Sequence, residues 1–194
     1  MTERLPSLPG FAVHPLTPDR WEDFVTLFGR RGACGGCWCM MWRLTAPEFA
    51  KKKGPGNKRA MKPIVASGKI PGLLAYLGNE PVGWCAVGPR EWYSRFERSR
   101  ILKPVDDQPV WSVVCFFIAK PHRKKKLTVR LLQAAAEYAK TRGARIVEGY
   151  PTEPKQGSMP DVFAFVGLAS AFRQAGFTEV ARRSPTRPIM RRYL

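Results

Sequence analysis

The chain has 194 residues, 44% hydrophobic and 11% aromatic, enough for one well-buried core and short for two domains. No apolar run approaches the ~20 residues that span a bilayer, and Met1-Thr-Glu-Arg-Leu-Pro lacks the apolar core of a secretory leader, so the reading is a single domain, 1–194, in the cytoplasm. Thirty-three Lys and Arg against fifteen Asp and Glu give a formal charge of +18; this excess suggests an anionic partner, nucleic acid first and an acidic surface or phosphorylated substrate second, and also fits a plain solubility role.

In chain order, Phe11 to Leu16 reads as a first strand and Asp19 to Phe28 as a helix. Thr17 or Asp19 stands at its cap, and Trp21, Phe24, Val25 and Phe28 form its apolar face. A Gly- and Cys-rich connection runs from Gly29 to Arg43. The segment Ala46 to Ser67 is helical in pattern, and Gly54-Pro55-Gly56 should split it. Gly72 to Leu77 and Pro81 to Val87 read as a hairpin turning over Gly78-Asn79-Glu80. Gly88 to Pro109 is an irregular, basic and aromatic connection.

The stretch from Trp111 to Lys140 carries the most information. Ser112 to Ala119 is short, apolar and rich in β-branched and aromatic residues, as a strand covered on both faces should be. From Thr128, apolar residues at Val129, Leu131, Leu132, Ala135, Ala136 and Ala139 follow helical spacing. Between them lie His122, Arg123, Lys124, Lys125 and Lys126. A helix start presents unpaired N–H groups and a positive dipole end, and here it is wrapped in cations, which makes it a site for phosphate. Ile146 to Tyr150 then reads as a second buried strand. Ala169 to Phe177 reads as a helix closed by Gly176, and Thr178 to Arg182 and Ile189 to Tyr193 as closing strands.

These residues resemble the GNAT family of N-acetyltransferases, whose signature is a strand ending in Val/Ile-x-Pro, then Arg/Gln-x-x-Gly-x-Gly/Ala, then a helix carrying Leu-Leu. The pattern falls on Ile118, Arg123, Lys126, Thr128 and Leu131-Leu132 without a gap, with both glycines replaced and Lys120 in place of the proline. The helix ending in Gly176-Phe177 resembles the family's closing element, and the family's proton-donating tyrosine falls on Phe172, which has no proton to donate. The segments GACGGCWCMMWR, PVGWCAVGPR and SPTRPIMRR are similar to one bacterial branch of that family.

The resemblance implies an α/β fold with a mixed, mostly antiparallel central sheet, a splayed parallel strand pair and flanking helices. It also implies acetyl-coenzyme A as cosubstrate. The residues expected to hold it are Phe116, Phe117, Ile118, Arg123, Lys124, Lys125, Lys126, Leu127, Thr128, Ser170 and Phe172. The implied reaction is direct attack of a primary amine, of a small molecule or peptide, on the thioester. A nucleic-acid-linked amine such as an aminoacyl-tRNA, or a non-catalytic descendant binding coenzyme A or nucleic acid, stands as the alternative. Glu148 and Tyr150 alternate onto one face and are the candidates for base and acid, with Glu148 equally readable as a structural partner for an arginine. Trp38 and Trp42 are candidates for the acceptor wall or for core. Cys34, Cys37 and Cys39 read as packing near the cleft ahead of redox-sensitive thiols, with metal last, since no second ligand pair follows at finger spacing. Cys115 reads as a core thiol rather than an acyl carrier.

Overall fold

The structure, a computed structural model, describes residues 5–154 and 161–194; residues 1–4, part of the Met1 to Pro6 stretch read above, lie outside it. Seven strands form one sheet: β1 (Phe11–Pro15), β2 (Gly72–Leu77), β3 (Glu80–Pro89), β4 (Trp111–Ile118), β5 (Ile146–Gly149), β6 (Thr178–Arg182) and β7 (Pro188–Tyr193). They lie side by side as β1-β2-β3-β4-β5-β7-β6. Neighbours are antiparallel except β4 and β5, which are parallel. The architecture expected from the sequence is the one observed.

The helices divide between the two faces because the strands are apolar on both. α1 (Trp21–Phe28) and α3 (Pro55–Ala66) cover one face through Trp21, Phe24, Phe28 and Met61, packed on Trp84 and Tyr76. The other face receives α4 (Leu127–Thr141) and α5 (Ala169–Gln174) through Leu131, Leu132, Ala135, Ala136, Phe172 and Phe177. Leu131 and Leu132 are both fully buried, and each such side chain contributes about 1.5–3 kcal/mol of transfer free energy. Gly176, with φ +84°, ends α5 in the left-handed region, and Phe177 N–H returns to Phe172 O at 3.0 Å, the Schellman closure the sequence suggests.

The helical pattern of residues 46–67 does break at Gly54, giving α2 (Ala46–Lys51) and α3. Thr45 and Glu48 form a capping box at the start of α2. At α1 the expected cap is not made: a single 3-10 turn, Pro18–Arg20, leads in, and the Thr17 hydroxyl accepts from Arg20 Nη1 at 2.9 Å instead. Residues 32–36 form a tight turn whose Gly36 carbonyl accepts from Gly54 N–H and Asn57 Nδ2, each at 3.0 Å, fastening this connection to the start of α3.

Two features open the sheet between β4 and β5. Opposite Ala86 and Val87, β4 carries an extra residue, Val114, and such a bulge bends and twists its strand. Pairing with β5 is confined to Trp111↔Val147, Ser112↔Glu148 and Val113↔Gly149. Beyond them the strands part, and the next parallel bridge is Thr152↔Leu168. On the α5 side the Phe172 ring fills the space beside Gly149, with Phe116 edge-on at 6.2 Å. The outermost strand β6 carries Arg182, which is ion-paired to Glu179 at 2.6 Å and to Glu153 at 2.5 Å.

A Cβ added at Gly149 would overlap the Phe172 ring. Gly149→Ala is therefore expected to lower the free energy of unfolding in urea by about 1–3 kcal/mol. Adding Phe172→Leu to that variant should recover part of the loss, and a strictly additive double variant would show that the two side chains do not compete for this space.

Candidate active site

Between β4 and α4 the chain makes a 3-10 turn, Lys120–His122, followed by Arg123 to Lys126. Lys124 and Lys126 adopt φ +61° and +56°, the left-handed region that glycine enters without cost. Lys126 occupies the first glycine position of the motif, so the turn keeps the backbone course that glycine would give, at a cost of roughly 1–2 kcal/mol for each such residue. Lys126 is the N-cap residue of α4, and among the described residues no side chain caps that end. The first-turn amides of Leu127 and Thr128 thus face outward beside exposed Lys124, Lys125 and Lys126. The Arg123 Nε donates to Ile118 O at 3.2 Å and ties the turn to the end of β4. Backbone donors, a helix dipole and exposed cations fit a pyrophosphate.

The other residues expected at the cofactor fall into two groups. Phe116 and Ile118 face α4 and α5, while Phe117 lies on the opposite face against Phe28, at 5.5 Å. Ser170 is exposed at the start of α5. Phe172 is fully buried, held among Gly149, Gly167, Phe116 and Phe177. Its ring is a wedge in the sheet's opening, and its chemistry ends at packing.

Glu148 and Tyr150 do share a face. The Glu148 carboxylate has no exposure to solvent. Its Oε2 accepts from Arg191 Nε at 2.7 Å; its Oε1 accepts from the Tyr150 hydroxyl at 2.6 Å and from Arg90 Nη1 at 3.4 Å. Arg90 also donates to the Tyr150 oxygen and, through Nη2, to Leu102 O at 2.6 Å. Ser112 Oγ lies 3.0 Å from the same phenol. Arg191 forks onto Asp106 with bonds of 2.6 and 2.9 Å. Burial, and then the adjacent Glu148 charge, push the Tyr150 phenol well above its ordinary range. The network therefore shows the arginine partnership left open by the sequence: both carboxylate oxygens of Glu148 are occupied. Arg90, Ser112, Asp106 and Arg191 are not among the sequence candidates. The one visible signal is Arg191, which follows Ile189 and Met190 and opens the charged second half of the strand with Arg192.

Trp38 is core. It is 4% exposed, stacks on Phe28 at 5.7 Å and leaves no room for a Cβ at Gly32. Trp42 is half-buried against Phe96 at 5.1 Å, and its indole N–H is buried without a hydrogen-bond partner among the described residues. Of the two tryptophans expected at an acceptor wall, only Trp42 retains an exposed part. Cys39 is buried and accepts from Trp84 Nε1 at 3.1 Å. Its hydrogen bond with Cys115, followed by burial, drives the Cys115 thiol well above its ordinary range, so that sulfur keeps its proton. Burial lifts the Cys37 thiol to about 11. Cys34 is exposed. Among the described residues no three His, Cys, Asp or Glu side chains are placed to hold a metal ion, and no described helix is long and apolar enough to cross a membrane.

A mixed sheet that opens between two parallel strands, beside a cationic turn at a helix start, is the architecture that the sequence resemblance implies. The model of the acetyltransferase (GNAT) family matches residues 38–159, more than half of the chain. The chain belongs to that family and is an acyltransferase with acetyl-coenzyme A as donor. Solved structures with the same fold include the PaiA N-acetyltransferase of Thermoplasma acidophilum in complex with coenzyme A, 14% identical with a TM-score of 0.54 over 95% of this chain and 99% of that one. A GNAT acetyltransferase of Listeria monocytogenes is 8% identical, with a TM-score of 0.57 over 95% of each chain. An agmatine N-acetyltransferase is 14% identical, with a TM-score of 0.56 over 95% of this chain and all of that one. No curated protein matches in sequence.

Asp106 gives the network a pH signature. Its hydrogen bonds from Arg191 hold its carboxyl at about 2, below the 3.8 of an unperturbed aspartate. A depressed folded-state value adds stability that is complete above the unfolded value and is lost as pH falls through the folded one. Unfolding midpoints measured from pH 5 down to about 2 should therefore fall less steeply in Asp106→Asn than in the wild type. Equal slopes would remove Asp106 from the acid response.

Proposed function

We propose that the chain transfers the acetyl group of acetyl-coenzyme A to a primary amine of a small molecule or peptide by direct attack. The observation that carries this reading is the parting of β4 and β5 after Val113 and Gly149, with the Val114 bulge and the cationic turn on the same side of the opening. The residues of the turn fit the pyrophosphate, and the opening admits an extended arm between two strands. When bound, the cosubstrate supplies an acetyl thioester.

In this reading the amides of Leu127 and Thr128 and the side chains of Lys124 to Lys126 bind phosphate oxygens. The main chain around the Val114 bulge, freed from β5, turns an amide toward the carbonyl and polarises it. Cys115, whose proton is held, takes no part as a nucleophile. Glu148 is a positioning residue: it fixes the Tyr150 phenol at the edge of the opening, and the amine loses its proton to water. Phe172 keeps the opening wedged, and the thiolate leaves without a proton from that position. Trp42 offers the exposed part of its half-buried ring at the acceptor side.

Two measurements test this. Isothermal titration with acetyl-coenzyme A should give a complex that Lys124→Gln/Lys125→Gln/Lys126→Gln weakens by about tenfold or more, as charge-assisted hydrogen bonds of about 1.5 kcal/mol or more are removed. Lys126→Gly alone should preserve binding and stabilise the fold by about 1 kcal/mol, because it relieves the left-handed lysine. Thiol release with a panel of amines should then identify acceptors. With any acceptor, Glu148→Gln should lower stability and leave the shape of the pH-rate profile unchanged; a loss of rate that shrinks as pH rises would make Glu148 the base.

A further inference from the structure

The chain's positive charge is not spread evenly. Residues 29–69 hold ten Lys and Arg against one acid, Glu48, so half of the net +18 comes from this stretch. Elsewhere several arginines are matched with acids, Arg90 and Arg191 to Glu148 and Arg173 and Arg182 to Glu153. Arg31, Lys51, Lys52, Lys53, Arg59 and Lys62 are exposed, and among the described residues no ion pair includes any of them. Glu48 offers them little, because its carboxylate accepts from the Thr45 amide at 3.0 Å and hydroxyl at 2.6 Å.

These cations are held on one connected frame. The Gly36 carbonyl is pinned by Gly54 and Asn57, which locks the turn after Arg31 against the start of α3. Arg95 N–H donates to Trp42 O at 3.3 Å, and the Arg95 guanidinium stands 5.9 Å over the Phe49 ring, which brings the 94–98 turn to the same side. Phe49 and Trp42 are half-buried rings within this basic field.

We propose that this face, formed by residues 30–36, α2 and the first half of α3, docks a single-stranded nucleic acid. The inference does not depend on the acyl-transfer reading. Like charges held together without acids repel one another, and a phosphodiester backbone removes that repulsion while releasing its own counterions. A membrane surface fits less well, since the one exposed large apolar side chain among the described residues is Tyr193, on β7. A protein partner needs buried aromatic or arginine anchors at its centre, and the cations of this face, four lysines with Arg31 and Arg59, are all exposed. Unpaired bases can also use the flanks of Phe49 and Trp42, whereas the bases of a duplex are already stacked.

The test is fluorescence anisotropy with a labelled single-stranded RNA, a single-stranded DNA of the same sequence and the corresponding DNA duplex, all in saturating coenzyme A so that the α4 turn is occupied. The single strands should bind with an affinity that falls linearly on a log–log salt plot. Lys51→Gln/Lys52→Gln/Lys53→Gln/Arg59→Gln should reduce that slope by about 3, near 0.7 for each phosphate no longer neutralised, and weaken binding by about tenfold or more. Lys140→Gln/Arg142→Gln/Arg145→Gln, at the far end of α4, should bind as the wild type does. RNA and DNA bound alike, or one preferred, both support the surface and name its source. Equal losses in the two variants, binding abolished by coenzyme A, preference for the duplex, or retention on phosphatidylglycerol vesicles without binding to either single strand would each overturn it.

Discussion

The structure depends on one buried negative charge. Glu148 lies in the middle of the sheet with no exposure to solvent, and a carboxylate there is tolerable only because two guanidiniums and a phenol surround it. Those partners come from separate parts of the chain: Arg191 from β7, Arg90 from the end of β3, Tyr150 from just beyond β5. Through Arg90 and Arg191 the same charge gathers the 90–106 connection, at Leu102 and Asp106. A long segment with little regular structure thereby gains a fixed course. Removing one guanidinium would leave the buried carboxylate with a single cationic partner, and removing both would leave an uncompensated ion, a loss of about 3–5 kcal/mol or more by comparison with broken buried pairs.

The opening between β4 and β5 is fixed from both faces by unlike means. On the α1 side the ionic network holds Ser112, Glu148 and Tyr150 in register. On the α5 side an aromatic ring occupies the space beside a glycine, at the position where the wider family keeps a tyrosine. The Phe172 ring itself is fully buried, packed against Gly149, Gly167 and Phe116. The phosphate turn departs differently: its glycines are gone, yet Lys124 and Lys126 keep positive φ. Backbone strain is accepted there together with a run of exposed positive charge.

Most of the fold is legible in the sequence because its elements carry strong periodicity. The strand at residues 111–118, the helix at 127–141 and the break at Gly54 lie within a residue or two of where the pattern puts them. The site is less legible. That Glu148 and Tyr150 share a face follows from alternation, but their arginines come from 58 and 43 residues away in sequence, where no local pattern reaches. Trp38 shows the same limit. A loop tryptophan reads as a binding wall until the stacking of Phe28 and the closeness of Gly32 place it in the core. The opening itself depends on a one-residue register shift opposite Ala86, and a bulge leaves no reliable trace in an apolar run.

The last strand of the sheet, β6, has a consequence of another kind. An outer strand exposes a row of backbone donors and acceptors that any extended chain can extend, the usual start of edge-to-edge aggregation. Here Arg182 on that strand bridges Glu179 and Glu153, with Pro185 in the turn that follows and Pro188 at the start of β7. A passing strand would have to strip two ions of water and partners before its first ladder bond formed. The fixed charges at this margin thus act as a kinetic guard on the newly made chain, keeping the seven-stranded sheet from growing an eighth strand out of a neighbouring molecule.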